Sequence, residues 1–157
     1  MNSLVLNNGI CLQERKDAVR NVANVKKTFT MLQNNLYVIV EKSDNRNRAF
    51  TYTINFKPEC EIYRVHFPDH PITPGACLIE IAKELMEDYL GRELILRVAS
   101  NVKFLIPINP NIHRISDFVF TIKDKKEPEI EGKLWDVDIH IKHDVELFAK
   151  MSLSFEI

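Results

Sequence analysis

The chain lacks the features that would direct it to a membrane, a nucleic acid or an oxidising compartment. No wholly apolar run approaches the roughly 20 residues a transmembrane helix needs, and the first residues lack the basic-then-apolar order of a signal peptide. An excess of one charge sign is also missing. The 21 basic and 22 acidic side chains leave a formal net charge of −1, which gives no general electrostatic case for nucleic acid or an acidic lipid surface. Cysteine is scarce: Cys11, Cys60 and Cys77 are odd in number and show no CxxC spacing, which suits free thiols in a reducing cytoplasm. Repeats and low-complexity segments are absent. What remains is a chain of 157 residues, 45% hydrophobic, a length that fits one domain with a sizeable core.

Hydrophobic periodicity gives the outline of that domain. Leu12, Val19, Val22 and Val25 form a weak helical stripe between Cys11 and Met31. Leu36 to Glu41 reads as a strand, and Ser43 to Arg48 as a hairpin-like turn. Phe50, Tyr52, Ile54 and Phe56 then fall at every second residue, the mark of a strand with one face on a core. Further strands are expected over Leu94–Phe104, Ile112–Ile122, Glu131–Lys142 and Glu146–Glu156, with a turn at Ile106–Asn111 and a charged turn from Lys123 to Glu129. One helix lies between the two groups of strands. Five to seven antiparallel strands against one helix is an α+β solution, with edge strands that a partner subunit commonly protects.

The densest chemistry lies in His66-Phe67-Pro68-Asp69-His70-Pro71-Ile72-Thr73-Pro74-Gly75, followed by Glu80. Thr73 reads as an N-cap, Pro74 as the first helical residue, and Gly75 as a point where another group can approach the backbone closely. Ala76 to Leu90 contains neither Pro nor Gly and stops at Gly91. Leu78, Ile81, Ala82, Leu85 and Tyr89 share one helical side; Ala76, Glu80, Lys83, Glu84 and Glu87 share the other. The unpaired N–H groups of this helix start could hold a carbonyl or an anion at Gly75. Read from pattern alone, Glu80 equally suits a wetted helix face. Cys77 beside the helix start reads as a small packed side chain rather than a nucleophile, since no histidine pairs with it. The His66-x3-His70 spacing resembles a metal pair, but the intervening prolines oppose helical geometry and no third ligand has a defined spacing. His113, His140 and His143 read as surface or packing residues.

This stretch resembles the signature of the hotdog-fold 3-hydroxyacyl-[acyl-carrier-protein] dehydratases, roughly H-F-P-G-x-P-x-x-P-G with an acid fourteen residues after the first His. Six of the seven specified loop positions match, Asp69 standing where the pattern has Gly, and the step from His66 to Glu80 is kept. A second family feature after the central helix, K/R-F-x-x-P-V-x-P-G-D, is echoed by Lys103-Phe104-Leu105-Ile106-Pro107-Ile108-Asn109-Pro110-Asn111. The resemblance covers about residues 35 to 157. It implies one hotdog domain over residues 1–157, a long central helix wrapped by a curved antiparallel sheet, in which residues 1–34 are atypical of the family. The departures imply a divergent dehydratase, serving a specialised lipid or polyketide-like pathway rather than bulk fatty-acid biosynthesis.

The resemblance also implies the chemistry. His66 of one subunit and Glu80 of its partner would form the catalytic pair of a homodimer, and the Gly75 amide would bind the thioester carbonyl, with Ala76 and His70 as further substrate-binding residues. Removing a weakly acidic C2 proton calls for a base near neutrality, and a poor hydroxide leaving group calls for an acid. No cofactor or metal is implied. The substrate would hang from phosphopantetheine on an acyl carrier protein, for which Arg64, Lys103 and Arg92 are candidate contacts. Two other functions on the same scaffold are an acyl thioesterase and a non-catalytic acyl-binding subunit.

Overall fold

A computed structural model describes residues 32–123 and 134–157. The helical stripe between Cys11 and Met31, the thiol of Cys11 and most of the charged turn after Lys123 lie outside the described residues. Leu32–Ile157 form one compact unit. Its elements are β1 (Tyr37–Asp44), β2 (Ala49–Phe56), a one-turn helix α1 (Ile62–Val65), a long helix α2 (Gly75–Leu90), then β3 (Ile95–Phe104), β4 (Ile115–Ile122), β5 (Leu134–His143) and β6 (Glu146–Glu156). The strands make one antiparallel sheet in the order β1-β2-β4-β5-β6-β3. Two strands, a helix and four strands match the expected α+β plan.

Alternation decides which face of the sheet is apolar. Phe50, Tyr52, Ile54 and Phe56 on β2, Phe118 and Phe120 on β4, and Val137, Ile139 and Ile141 on β5 are all buried. They share one cluster with Leu78, Ile81, Ala82, Leu85 and Met86 of α2. Each fully buried Leu or Ile contributes about 1.5–3 kcal/mol, so this stripe is what fixes α2 to the sheet. Tyr89 completes it by stacking on Phe50, with ring centroids 3.7 Å apart, while 39% exposed at the rim. Gly91 ends the helix in the left-handed conformation (φ 66), its N–H bonded to the Glu87 carbonyl. Bulges in β1, in β3 and at Phe148 of β6, opposite Ile141 and Lys142, increase local twist and bend those strands.

Two expectations about α2 are corrected. Glu84 does not face water with Glu80, Lys83 and Glu87; it is 9% exposed. Its carboxylate accepts the Leu32 N–H (2.6 Å), the Gln33 N–H (3.0 Å) and the Tyr37 O–H (2.9 Å). Those donors come from about fifty positions earlier in the chain, beyond the reach of a helical wheel. Burial pushes the Glu84 carboxyl above the usual carboxylate range despite these bonds, and burial with the nearby Glu84 charge pushes the Tyr37 hydroxyl up as well. Thr73 is not the cap of α2. Pro74 holds that position with no side-chain cap bond, and Gly75 is the first helical residue. The Thr73 hydroxyl is instead buried against the Tyr63 hydroxyl at 2.8 Å.

Glu84→Ala would leave two backbone donors and a phenol without their acceptor, and is expected to cost about 2–4 kcal/mol in thermal or denaturant unfolding. The pH dependence has a definite sign. A carboxyl whose folded value is raised binds its proton more tightly in the folded chain. That contribution is full below the ordinary carboxylate value and is lost as pH rises through the raised one. Denaturation of Glu84→Gln across pH is therefore expected to lack this slope. Asp88 and Asp138 behave oppositely: burial is outweighed by Lys42 and Tyr52 at Asp88, and by Lys123 and Ser152 at Asp138, holding both carboxyls below their usual value. Their acid-side loss of stability is expected to persist in the variant.

Candidate active site

Backbone contacts close together in space set the position of His66. Its N–H donates to the carbonyl of Ile62, the first residue of α1, and His66 is followed at once by Phe67 at φ 59. The left-handed region costs a bulky residue about 1–2 kcal/mol, so the surroundings must hold it there. They do so from both sides. The His70 N–H closes a turn onto the Phe67 carbonyl at 3.0 Å, and the Thr73 N–H reaches the Ile108 carbonyl at 2.8 Å. Buried Tyr63 bonds Thr73. The Phe67 ring meets the His66 imidazole edge-on at 4.5 Å. Asp69 takes no positive φ, so an aspartate fits where the family pattern carries glycine.

The His66 ring, half-buried, has its Nδ1 2.9 Å from the Ile72 carbonyl oxygen. A carbonyl only accepts, so Nδ1 carries the proton of the neutral ring and Nε2 keeps a lone pair. That is the tautomer a general base needs. Ile72 was not visible as a site residue in the sequence, because its contribution is a main-chain oxygen that any side chain would supply.

Gly75 opens α2, and neither its N–H nor that of Ala76 has a backbone acceptor among the described residues. A Cβ on Gly75 would fall 2.5 Å from Cζ of Phe104, closer than atoms pack. The aromatic ring of the second motif thus stands against the helix start of the first, while remaining 51% exposed. The second motif is tied down further by the N–H groups of Leu105 and Ile106 on the Phe148 carbonyl, and by the Ile108 carbonyl on Thr73. Gly75 is therefore required for close approach, as its position beside a proline suggested, and the group approaching it is Phe104.

Glu80 lies on the half-buried side of α2, with Lys83 Nζ 3.6 Å from its carboxylate; the same ammonium is 2.9 Å from Glu87. Burial lowers the Lys83 ammonium, but Glu87 and Glu80 outweigh it and raise the net value. Within one chain, His66 and Glu80 have different partners and no bond joins them among the described residues. Ala76 and His70 are exposed. Burial pushes the Cys77 thiol up, with Cys60 and Glu80 adding to the effect, which opposes a thiolate nucleophile there. Among the described residues no cluster of three or more His, Cys, Asp or Glu side chains forms a metal site, and no helix is long and apolar enough to cross a membrane.

Comparisons with known proteins bear on the family and the fold. The ApeI-like family, described as ApeI dehydratase, matches residues 41–129, more than half of the chain. No curated protein matches the sequence significantly. Among solved structures, the dehydratase heterocomplex ApeI:P of Xenorhabdus doucetiae aligns over 76% of this chain and 97% of its own, at 14% identity and a TM-score of 0.58. Cj0977 of Campylobacter jejuni, a sigma28-regulated virulence protein, aligns over 78% and 83% at 10% identity and a TM-score of 0.56. A candidate thioesterase of Ralstonia eutropha JMP134, related to phenylacetic acid degradation, aligns over 77% and 84% at 12% identity and 0.52. At such identities these structures establish the hotdog fold alone, with dehydratase and thioesterase relatives on it. By the family match, this chain belongs to the ApeI-like dehydratases, as a divergent hotdog-fold member.

Proposed function

We propose that the protein dehydrates a 3-hydroxyacyl thioester, carried on the phosphopantetheine of an acyl carrier protein, to the trans-2-enoyl thioester. In this reading it acts as a homodimer in which His66 of one subunit faces Glu80 of the other. The observation that carries it is the bond from His66 Nδ1 to the Ile72 carbonyl, which leaves Nε2 as the proton acceptor. Nε2 takes the proton from C2, and the electrons form the C2–C3 double bond. The C3–O bond breaks as Glu80 protonates the departing hydroxyl, so that water leaves. Proton transfer from the imidazolium to the Glu80 carboxylate then restores both groups. Charge building on the thioester oxygen is met by the N–H groups of Gly75 and Ala76 at the positive end of the α2 dipole. His70 stands at the mouth of the loop, where an incoming thioester passes.

The pairing across subunits is supported by the two edges of the sheet. β1 is a charged edge, with Glu41, Lys42 and Asp44. β3 leaves Ile95, Val98 and Phe104 about half exposed, and Leu105 follows at 49%. Charge protects an edge, whereas an apolar edge strand invites another chain. A second copy at β3 would bring a second loop and helix start close to the first. The ApeI relative is described as a heterocomplex, so a different partner chain at this edge is the alternative assembly.

The purified protein is expected to release water from a 3-hydroxyacyl thioester, followed by absorbance of the conjugated enoyl product. His66→Ala and Glu80→Ala are each expected to reduce the rate by about 10²–10⁴ with the oligomer unchanged. Co-refolding the two inactive variants should recover activity, because a hybrid dimer holds one intact His66–Glu80 site; failure to recover it would place both residues in one subunit. Release of free thiol without enoyl product would instead identify a thioesterase, and binding of acyl carrier protein with neither product a non-catalytic subunit. Gly75→Ala, which collides with the Phe104 ring, is expected to lower activity, and Gly75→Ala with Phe104→Leu to recover part of it.

A further inference from the structure

The outer face of the sheet carries a basic row that takes no part in the chemical steps of the proposed dehydration, although one member, Lys103, is also a candidate carrier contact. Strand register sets three basic side chains in one row: His140 of β5 is paired with Lys150 of β6, and Lys150 with Lys103 of β3. Their neighbours Ile139, Ile141, Ala149 and Met151 are buried, so alternation turns the row outward. Directly paired side chains start about 5 Å apart, and like charges at that spacing repel. The ammonium groups of Lys103 and Lys150 have no hydrogen-bond or ion-pair partner among the described residues. Asp138 offsets part of the charge at the His140 end of the row, whereas the Lys103–Lys150 pair has no such neighbour among the described residues.

The row lines a groove. β3 bulges between Ser100 and Lys103, with Asn101 at φ 51. Beside it a cavity of about 320 Å³ is lined by Asn101, Lys103, Asp138, His140, Lys150, Met151 and Ser152. Asp138 is the one carboxylate there, and its charge is already engaged by Lys123 Nζ at 2.7 Å and the Ser152 hydroxyl at 2.6 Å. Two uncompensated ammonium groups, an imidazole and an amide face the same space. Two cations within reach of one ligand suit a phosphate, which offers several oxygens and up to two charges, better than a single carboxylate.

We propose that this groove is a phosphate-ester site, in which Lys103 and Lys150 neutralise the phosphate and His140 and Asn101 hydrogen-bond to it. The phosphate can arrive free or as part of a thioester carrier such as coenzyme A; the recognising chemistry is the same. Lys103 immediately precedes Phe104, so the groove lies on the opposite face of the strand end that borders Gly75. Binding is read without turnover, so the result is independent of the dehydration assay.

The test is a titration of the full chain with inorganic phosphate, coenzyme A and pantetheine, followed by amide chemical shifts and by calorimetry. Coenzyme A is expected to saturate, to shift the amides of Lys103, His140 and Lys150, and to bind more weakly as salt is added. Pantetheine, which lacks phosphate, is expected to leave those amides unmoved. Lys103→Gln and Lys150→Gln are each expected to weaken coenzyme A binding about five-fold, and Lys150→Arg to retain it. Equal displacement by inorganic phosphate would mark the free anion as a sufficient ligand, and its absence would mark the ester; either supports the site. Binding unaltered by both Lys→Gln substitutions, pantetheine shifting the same amides, or no saturable shift at all would overturn the proposal. Without ligand, Lys150→Gln is expected to unfold at the same temperature or higher, because it relieves repulsion. A clear drop would make Lys150 a structural residue and would also overturn it.

Discussion

One helix covers the apolar face of a six-stranded sheet, and most of the described structure follows from that constraint. Among the described residues, the aromatic and β-branched side chains of β2, β4, β5 and β6 leave water mainly against α2, with Tyr63, Leu94 and Ile108 completing the cluster, so the sheet bends toward that helix. The stripe Leu78, Ile81, Ala82, Leu85 and Met86 fixes the rotation of α2 about its own axis. That rotation places Glu80 and Lys83 on the flank and turns Glu84 toward the chain arriving at Leu32. The ends of the helix are then fixed by contacts that cost little sequence: a left-handed glycine at Gly91, and at Gly75 a missing side chain into which the Phe104 ring packs.

The loop that precedes α2 shows how a strained segment can be rigid. Phe67 occupies a backbone region that a phenylalanine avoids, yet hydrogen bonds before and after it leave few alternatives. Tyr63 and Thr73 bind the two ends of the loop to one another, and Ile108 ties it to the second motif. Conformational entropy lost here is lost on folding, so the His66 ring is oriented by the folded chain itself. The glycine-to-aspartate departure at Asp69 is compatible with this loop, since the left-handed residue is two positions earlier.

Much of this was legible in the sequence. Alternation of Phe50, Tyr52, Ile54 and Phe56 marked a half-buried strand because strand period and side-chain chemistry coincide. The Pro74-Gly75 pair and the gap-free run to Leu90 marked α2, and the His66–Glu80 spacing led to the family. Three things were not legible. Glu84 has the periodicity of a surface position, and only donors from Leu32, Gln33 and Tyr37 make its burial tolerable. The Thr73 hydroxyl was free to cap a helix in one dimension but is taken by Tyr63 in three. The His66 tautomer depends on a carbonyl, which sequence does not encode. Single-residue patterns report local periodicity; Glu84 depends on donors about fifty positions away, and the other two on how an irregular loop folds back on itself over six to ten residues.

The contact between Gly75 and Phe104 has a consequence for how sequences of this kind can drift. The two positions share one volume, since a methyl at the first occupies the space of the ring at the second. Neither can be replaced freely while the other stands. In an alignment of relatives the two columns are expected to change together, small opposite large, and their correlation would record the approach of the second motif to the helix start in chains with no structure determined.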